Sequence, residues 1–231
     1  MSEELLLVRA RLRRDVPAAS LARLLVPEDP GAQIGAAHRL VWALFADQPD
    51  RRRDFLWRKT GAGDFLILAS RPPSDPHNLF ALEWKSFAPA LRPGQRVGFD
   101  LRANPVTSVP LGPHERGKRA DVVMHALHTV PSRERAAQRT AVIGKAGAAW
   151  LGRQGARAGF TAEPDALRID GYETVCIPRG PAQRPITYSA LEFQGVLTVE
   201  DPTRFLAALP RGFGAAKAFG CGLMLIRRAG R

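Results

Sequence analysis

Twelve residues near the end of the chain, Gly212-Phe213-Gly214-Ala215-Ala216-Lys217-Ala218-Phe219-Gly220-Cys221-Gly222-Leu223, carry four glycines and one lysine. Glycine accepts positive φ and lacks the Cβ that would hold a ligand off the backbone, while successive amide N–H groups can converge on an anion. The chemistry suggested is phosphate contact through Gly212, Gly214, Lys217, Gly220 and Gly222; a tight helix-to-strand turn accounts for the same spacing. A P-loop is excluded, because Lys217 is followed by Ala218 and then by the strand-like run Leu223-Met224-Leu225-Ile226 rather than by Ser or Thr opening a helix. A dinucleotide fingerprint must follow a strand and open a helix, and this stretch does neither. No nucleotide cofactor is expected, which leaves a polymeric phosphate ligand.

The other residue fit for chemistry is His38. An imidazole with its ordinary pKa of about 6.5 can both take and give a proton. It falls in helical register with Ile34, Val41 and Phe45, which is also the register of a core histidine. No metal site is expected: Cys176 and Cys221 lack CxxC spacing, and His77, His114, His125 and His128 are scattered.

Charge bears on the ligand. The 34 basic residues outnumber 22 acidic ones for a net +12, and all but five of the basic residues are arginine. Arginine binds phosphate bidentately and stacks on bases, so the balance fits a nucleic-acid partner, although GC-rich coding also enriches arginine. Arg51-Arg52-Arg53 is a weaker signal, since charge runs are usually solvated. Unpaired cysteines suit a reducing cytoplasm, and the apolar run Leu5 to Val8 is too short for a signal or a membrane span.

The elements that must position these residues follow from periodicity and punctuation. Residues 4–12 read as a strand, and Asp29-Pro30 caps a helix running to about Ala46. The runs Asp54 to Arg58 and Asp64 to Ala69 flank a glycine turn and form a hairpin; a proline-rich bend with little helical material leads to a strand at Leu79 to Trp84. After a boundary at Pro89 to Gly94, Gln95 to Arg102 alternates as a fresh strand, and residues 111–135 read as irregular. A helix from Glu134 to Gln154, strands at Ala166 to Ile177 and Ile186 to Val199, a short helix at Thr203 to Leu209 and the final strand repeat the same order. The predicted fold is α+β, with two tandem ferredoxin-like (RRM-like) domains, βαββαβ twice with antiparallel sheets, over residues 1–90 and 91–231.

Several pieces, in order along nearly the whole chain, resemble the CasE family, the CRISPR-associated endoribonucleases of type I-E systems. They are His38 to Phe45, Arg53 to Leu56, Leu101-Arg102-Ala103-Asn104-Pro105-Val106, Gly117-Lys118-Arg119, Phe193 to Val199 and the glycine stretch. The resemblance implies binding to the repeat stem-loop of precursor CRISPR RNA and metal-independent cleavage at the base of the stem. The 2′-hydroxyl would attack, leaving a 2′,3′-cyclic phosphate, and the enzyme would stay bound as a Cascade subunit. It implies His38 as the catalytic residue. Arg179 and Arg184 correspond to the family's basic hairpin, and Arg39, Lys118, Arg119 and Lys217 are candidate RNA contacts. One position departs from the pattern: Gly35 stands where related sequences carry a tyrosine, and Tyr172 and Tyr188 are remote in sequence. A catalytically weak or inactive RNA-binding subunit is therefore the alternative expectation.

Overall fold

The computed structural model describes residues 4–13, 29–48, 51–110, 117–179 and 183–229. His114, the first residues of the expected irregular segment (111–116) and the tip of the hairpin bearing Arg179 and Arg184 (180–182) lie outside the described residues.

The first unit comprises strand β1 (Leu6–Leu12), helix α1 (Pro30–Ala43), and strands β2 (Phe55–Gly61), β3 (Asp64–Ala69) and β4 (Phe80–Ser86). Its antiparallel sheet has the order β2-β3-β1-β4, the ferredoxin-like arrangement. In β1, Val8 and Ala10 alternate inward while Arg9 points out. Asp29 caps α1 by accepting from the Ala32 amide at 2.6 Å, and Pro30 opens the helix. The helix stops at Ala43, a turn earlier than the apolar pattern suggests, because Leu44 and Phe45 continue into the core as a turn. Ala37, Leu40 and Val41 pack on Phe55, Trp57, Phe65 and Ile67. No helix forms between β3 and β4 among the described residues. Pro72, Pro73 and Pro76 remove amide donors there and disfavour helical geometry for their neighbours.

The second unit is larger. Strand β5 (Arg96–Ala103) leads to a two-stranded ribbon, β6 (Val106–Val109) with β7 (Lys118–Asp121), and then to helix α2 (Val122–His128). This corrects the expectation of an irregular segment: Asp121 caps α2 through the Met124 amide, and Val122, Val123 and Leu127 are buried. Helix α3 (Arg135–Ala158) ends at Gly159, whose φ of 76° closes the left-handed cap. Strands β8 (Phe160–Ala162), β9 (Arg168–Ile177) and β10 (Ile186–Val199), helix α4 (Pro202–Ala208) and strand β11 (Met224–Arg228) complete the chain. The sheet order is β11-β5-β10-β8 with β9 also paired to β10, so the ferredoxin-like order recurs with a divided second strand. Trp150 of α3 lies on Phe193 of β10, with ring centroids 5.4 Å apart.

Helix α1 is gripped from both sides. Ile34 packs with Val175, Ile177 and Tyr188 of the second unit, whereas Val41 belongs to the core of its own sheet. At Gly31 a Cβ would lie 1.9 Å from the Cys176 carbonyl oxygen, so only glycine permits this approach of helix to strand. Arg58 of β2 pairs with Asp100 of β5 and, at 3.0 Å, with Glu192 of β10. Glu192 also accepts from Arg102 at 2.7 Å.

Candidate functional site

His38 leaves α1 on the face that meets the second unit, one turn after Ile34, so the apparent single stripe of Ile34, His38 and Val41 divides between two contacts. Its ring is half-buried, 5.4 Å from Phe219 and 6.0 Å from Trp42 between centroids. Phe219 belongs to the glycine stretch, where a short 3-10 turn spans Lys217–Phe219. The fold therefore brings the two chemistry-bearing segments together, although about 180 positions of chain lie between them. His38 Nδ1 is buried without a hydrogen-bond partner among the described residues. Burial holds the imidazole pKa below its ordinary 6.5; a backbone contact at Ala218 opposes this, and the Arg53 and Arg39 charges reinforce it.

The glycine stretch does not form the open anion cradle that its spacing suggests. The amides of Phe213, Ala215, Phe219 and Gly222 donate to the carbonyls of Gly222, Asn104, Ala216 and Arg102, which ties the loop to itself and to the end of β5. Its glycines answer to packing. Gly212 (φ 68°) abuts Leu56, Gly214 sits against the Asn104 carbonyl, and Gly220 (φ 81°) lies on the Trp57 ring. Trp57 Nε1 donates to the Ala218 carbonyl at 3.1 Å, pinning the turn beside His38. At Gly222 the missing Cβ leaves room for the stem of Lys217, whose Cγ would lie 3.1 Å from it.

Lys217 and Arg53 are both half-buried. Burial, Arg53 and Arg211 together lower the Lys217 pKa, and burial lowers that of Arg53. Neither Lys217 nor Arg53 makes an ion pair among the described residues. Arg53 and Arg211 line a cleft of about 520 Å³ between the start of β2 and the segment after α4. The arginine run thus splits by environment: Arg51 pairs with Asp47, Arg52 is exposed, and Arg53 turns toward the histidine. Its part was missed in the sequence because a triplet of arginines looks alike at every position; its place immediately before a buried strand was the available signal.

The remaining candidates are exposed. Arg39 is exposed and folds back over Gly35. Lys118 and Arg119 are exposed on β7, on a ribbon strand rather than a linker. Arg179 and Arg184 are exposed on either side of the β9–β10 hairpin tip. At Gly35 a Cβ would meet Ile177 Cγ2 at 3.3 Å, so a larger residue there requires the Ile177 side chain to shift by a few tenths of an ångström. Tyr188, remote in sequence, stacks beneath Phe219 at 6.0 Å with its hydroxyl donating to the Phe219 carbonyl. Burial raises its pKa, so this phenol supports the loop and is a poor proton donor.

The family described as CRISPR associated protein matches residues 5–228. The chain is 24% identical over 220 residues to the CRISPR system Cascade subunit CasE of Escherichia coli, covering 88% of this chain and 96% of that one. It is 32% identical over 158 residues to the CRISPR-associated endoribonuclease Cse3 of Thermus thermophilus, covering 62% of this chain and 60% of the relative. The structure of Thermus thermophilus Cse3 bound to an RNA representing a pre-cleavage complex superposes with a TM-score of 0.63 at 26% identity, over 97% of this chain and 99% of that one.

Proposed function

Since the chain belongs to the CasE family of CRISPR-associated proteins, we propose that it is the endoribonuclease that cuts precursor CRISPR RNA at the base of the repeat stem, without a metal, and remains on the product as a Cascade subunit. The observation that carries this reading is His38, held by α1 against the Lys217–Phe219 turn with Nδ1 unpartnered among the described residues and cationic side chains around it. A lowered pKa leaves the imidazole neutral at neutral pH, the form that accepts a proton. It takes the proton of the substrate 2′-hydroxyl, whose oxygen attacks the adjacent phosphorus. The bond to the 5′-oxygen breaks, giving a 2′,3′-cyclic phosphate and a 5′-hydroxyl. Arg39, and Arg53 from the start of β2, face the charge that builds on the phosphoryl oxygens, which arginine stabilises without giving up a proton.

Binding is spread more widely. Arg179 and Arg184 reach along the stem from the β9–β10 hairpin, and Lys118 and Arg119 hold phosphates from the β6–β7 ribbon. Gly212, Gly214, Gly220 and Gly222 shape the wall against which Lys217 meets the RNA backbone. A-form RNA hides its major-groove base edges, so shape and phosphate contacts dominate within the stem. Residues 1–90 thus supply the proton acceptor and 91–231 most of the grip. Among the described residues no helix is long and apolar enough to cross a membrane, and RNA processing in the cytoplasm is the setting this reading requires.

The test is incubation with the repeat RNA in EDTA, with product ends analysed beside His38→Ala. We expect a cyclic phosphate from the wild type and a loss of about 10²-fold or more in the variant. Equal cleavage by both proteins would remove His38 from the mechanism. The glycine at position 35 favours a second reading, an RNA-binding subunit without activity, for which tight binding with no cleavage by either protein is the signature.

A further inference from the structure

The proposed reaction needs a proton for the departing 5′-oxygen, and the position where the family pattern has a phenol is a glycine packed against Ile177. The tyrosine nearest the histidine site, Tyr188, lies beneath Phe219 with its hydroxyl turned to a backbone carbonyl. Resting on the ribonuclease reading, we propose that Lys217 is the proton donor to the leaving group, with Arg53 holding the phosphate between Lys217 and His38.

Geometry supports this in three ways. First, Lys217 begins the 3-10 turn whose next two residues border His38: the Ala218 backbone and the Phe219 ring. Second, the lysine stem lies against Gly222, where a Cβ would stand 3.1 Å from Lys217 Cγ and 2.9 Å from the Phe213 carbonyl oxygen, so the loop seats the lysine closely. Third, Arg53 lines the cleft beside Leu56, the residue that Gly212 of the same loop abuts, and its charge acts on both His38 and Lys217.

The charged surroundings suit the division of roles. On α1 the neighbouring charge is Arg39; from the start of β2 comes Arg53, and from the segment after α4 comes Arg211. Asp47 and Asp54 are engaged by Arg51 and Arg71. Beyond Phe219, Arg102 and Glu192 are paired to one another in a separate cleft, and the Cys221 thiol is buried with its pKa pushed up to about 12. Among the described residues Lys217 therefore has cations as neighbours and no carboxylate partner, which makes its ammonium a stronger acid than a solvated lysine while leaving it charged for phosphate binding. The step consumes a neutral His38 and a protonated Lys217. In that step the 2′-oxygen–phosphorus bond forms and the phosphorus–5′-oxygen bond breaks. The 2′-hydroxyl proton goes to His38 and a Lys217 proton to the 5′-oxygen. Exchange with water then restores both residues.

The experiment compares repeat RNA bearing the ordinary 5′-oxygen with the same RNA carrying sulfur at that bridging atom, at the linkage the wild type cuts. A thiolate leaves without protonation because a thiol is far more acidic than an alcohol. Lys217→Met and Lys217→Arg should each slow cleavage of the oxygen substrate by about 10²-fold and cut the sulfur substrate at nearly the wild-type rate; arginine keeps the charge but does not surrender a proton. His38→Ala should be impaired on both. A Lys217→Arg variant that binds RNA normally and cuts the oxygen substrate as fast as wild type, or a Lys217→Met defect of equal size on the two substrates, would overturn the assignment while leaving His38 in place. No cleavage by the wild type would instead overturn the ribonuclease reading and this inference with it.

Discussion

At the scale of single residues, the site is defined by where charge is left uncompensated. Most arginines around the junction between units are paired: Arg58 with Asp100 and Glu192, Arg71 with Asp54, Arg102 with Glu173 and Glu192. Among the described residues Arg39, Arg53 and Lys217 have no such partner; the two arginines act on His38, and Lys217 opens the turn whose Phe219 borders it. A pH prediction belongs here. His38 is depressed below 6.5 by burial first and by Arg53 and Arg39 after it. Its neutral form is therefore retained to lower pH than in a free histidine, and kcat/KM for repeat RNA should rise through an acid limb below 6.5. The same shift makes the unfolded chain bind the proton more readily than the folded one, so this contribution to stability is complete above 6.5 and is lost as pH falls through the folded value. An acid limb at or above 6.5 in the pH profile would show that the buried, cation-flanked state of His38 does not govern catalysis.

Elements decide what those residues can reach. Alternation and capping made α1, the β2–β3 hairpin and the long β9–β10 hairpin legible in the sequence, because local patterns need only local physics. The β6–β7 ribbon and α2 were not legible. Their strands are four residues each, and β7 is Lys-Arg-Ala-Asp, whose composition is that of a solvated segment; pairing with β6 supplies the order. The glycine stretch was located correctly and its internal hydrogen bonding was not, since the partners of its amides include carbonyls of Asn104 and Arg102, over 100 positions away. The exposed β9–β10 hairpin carries a prediction at this scale. Replacing Arg179 and Arg184 together by alanine should weaken stem-loop binding and reduce the dependence of log K on log salt by about 1 for each phosphate left without its arginine. Fluorescence anisotropy across a salt series is the measurement, and an unchanged slope would take the hairpin out of the RNA interface. Cleavage of bound RNA should be preserved in that variant, because both arginines are exposed and neither is among the charges acting on His38.

For the whole molecule, the proposed mechanism requires the two units to hold one fixed relation, because His38 comes from the first and Lys217 from the second. Three contacts enforce that relation: Gly31 against the Cys176 carbonyl, Trp57 on the Ala218 carbonyl, and Arg58 between Asp100 and Glu192. Arg58→Met keeps the stem but leaves Asp100 without its cation and Glu192 with Arg102 alone. It should cost about 1–3 kcal/mol of stability and slow cleavage more than it weakens RNA binding; thermal denaturation with single-turnover kinetics checks both. Equal losses in binding and cleavage would mean that the pair supports the fold without setting the site.

Sequence alone determined the strand and helix order outside the β6–β7 ribbon and α2, the basic balance, the family resemblance and the two segments able to do chemistry, since all of these reside in composition, periodicity and local motifs. Only the tertiary structure decided that His38 faces the glycine turn instead of its own core, that Arg53 rather than Arg51 or Arg52 turns inward, and that Gly35 packs against Ile177 of the second unit. Each of these depends on which side chain meets which across the boundary between the two units. That is a matter of packing between residues far apart in the chain, and no periodicity within either segment encodes it.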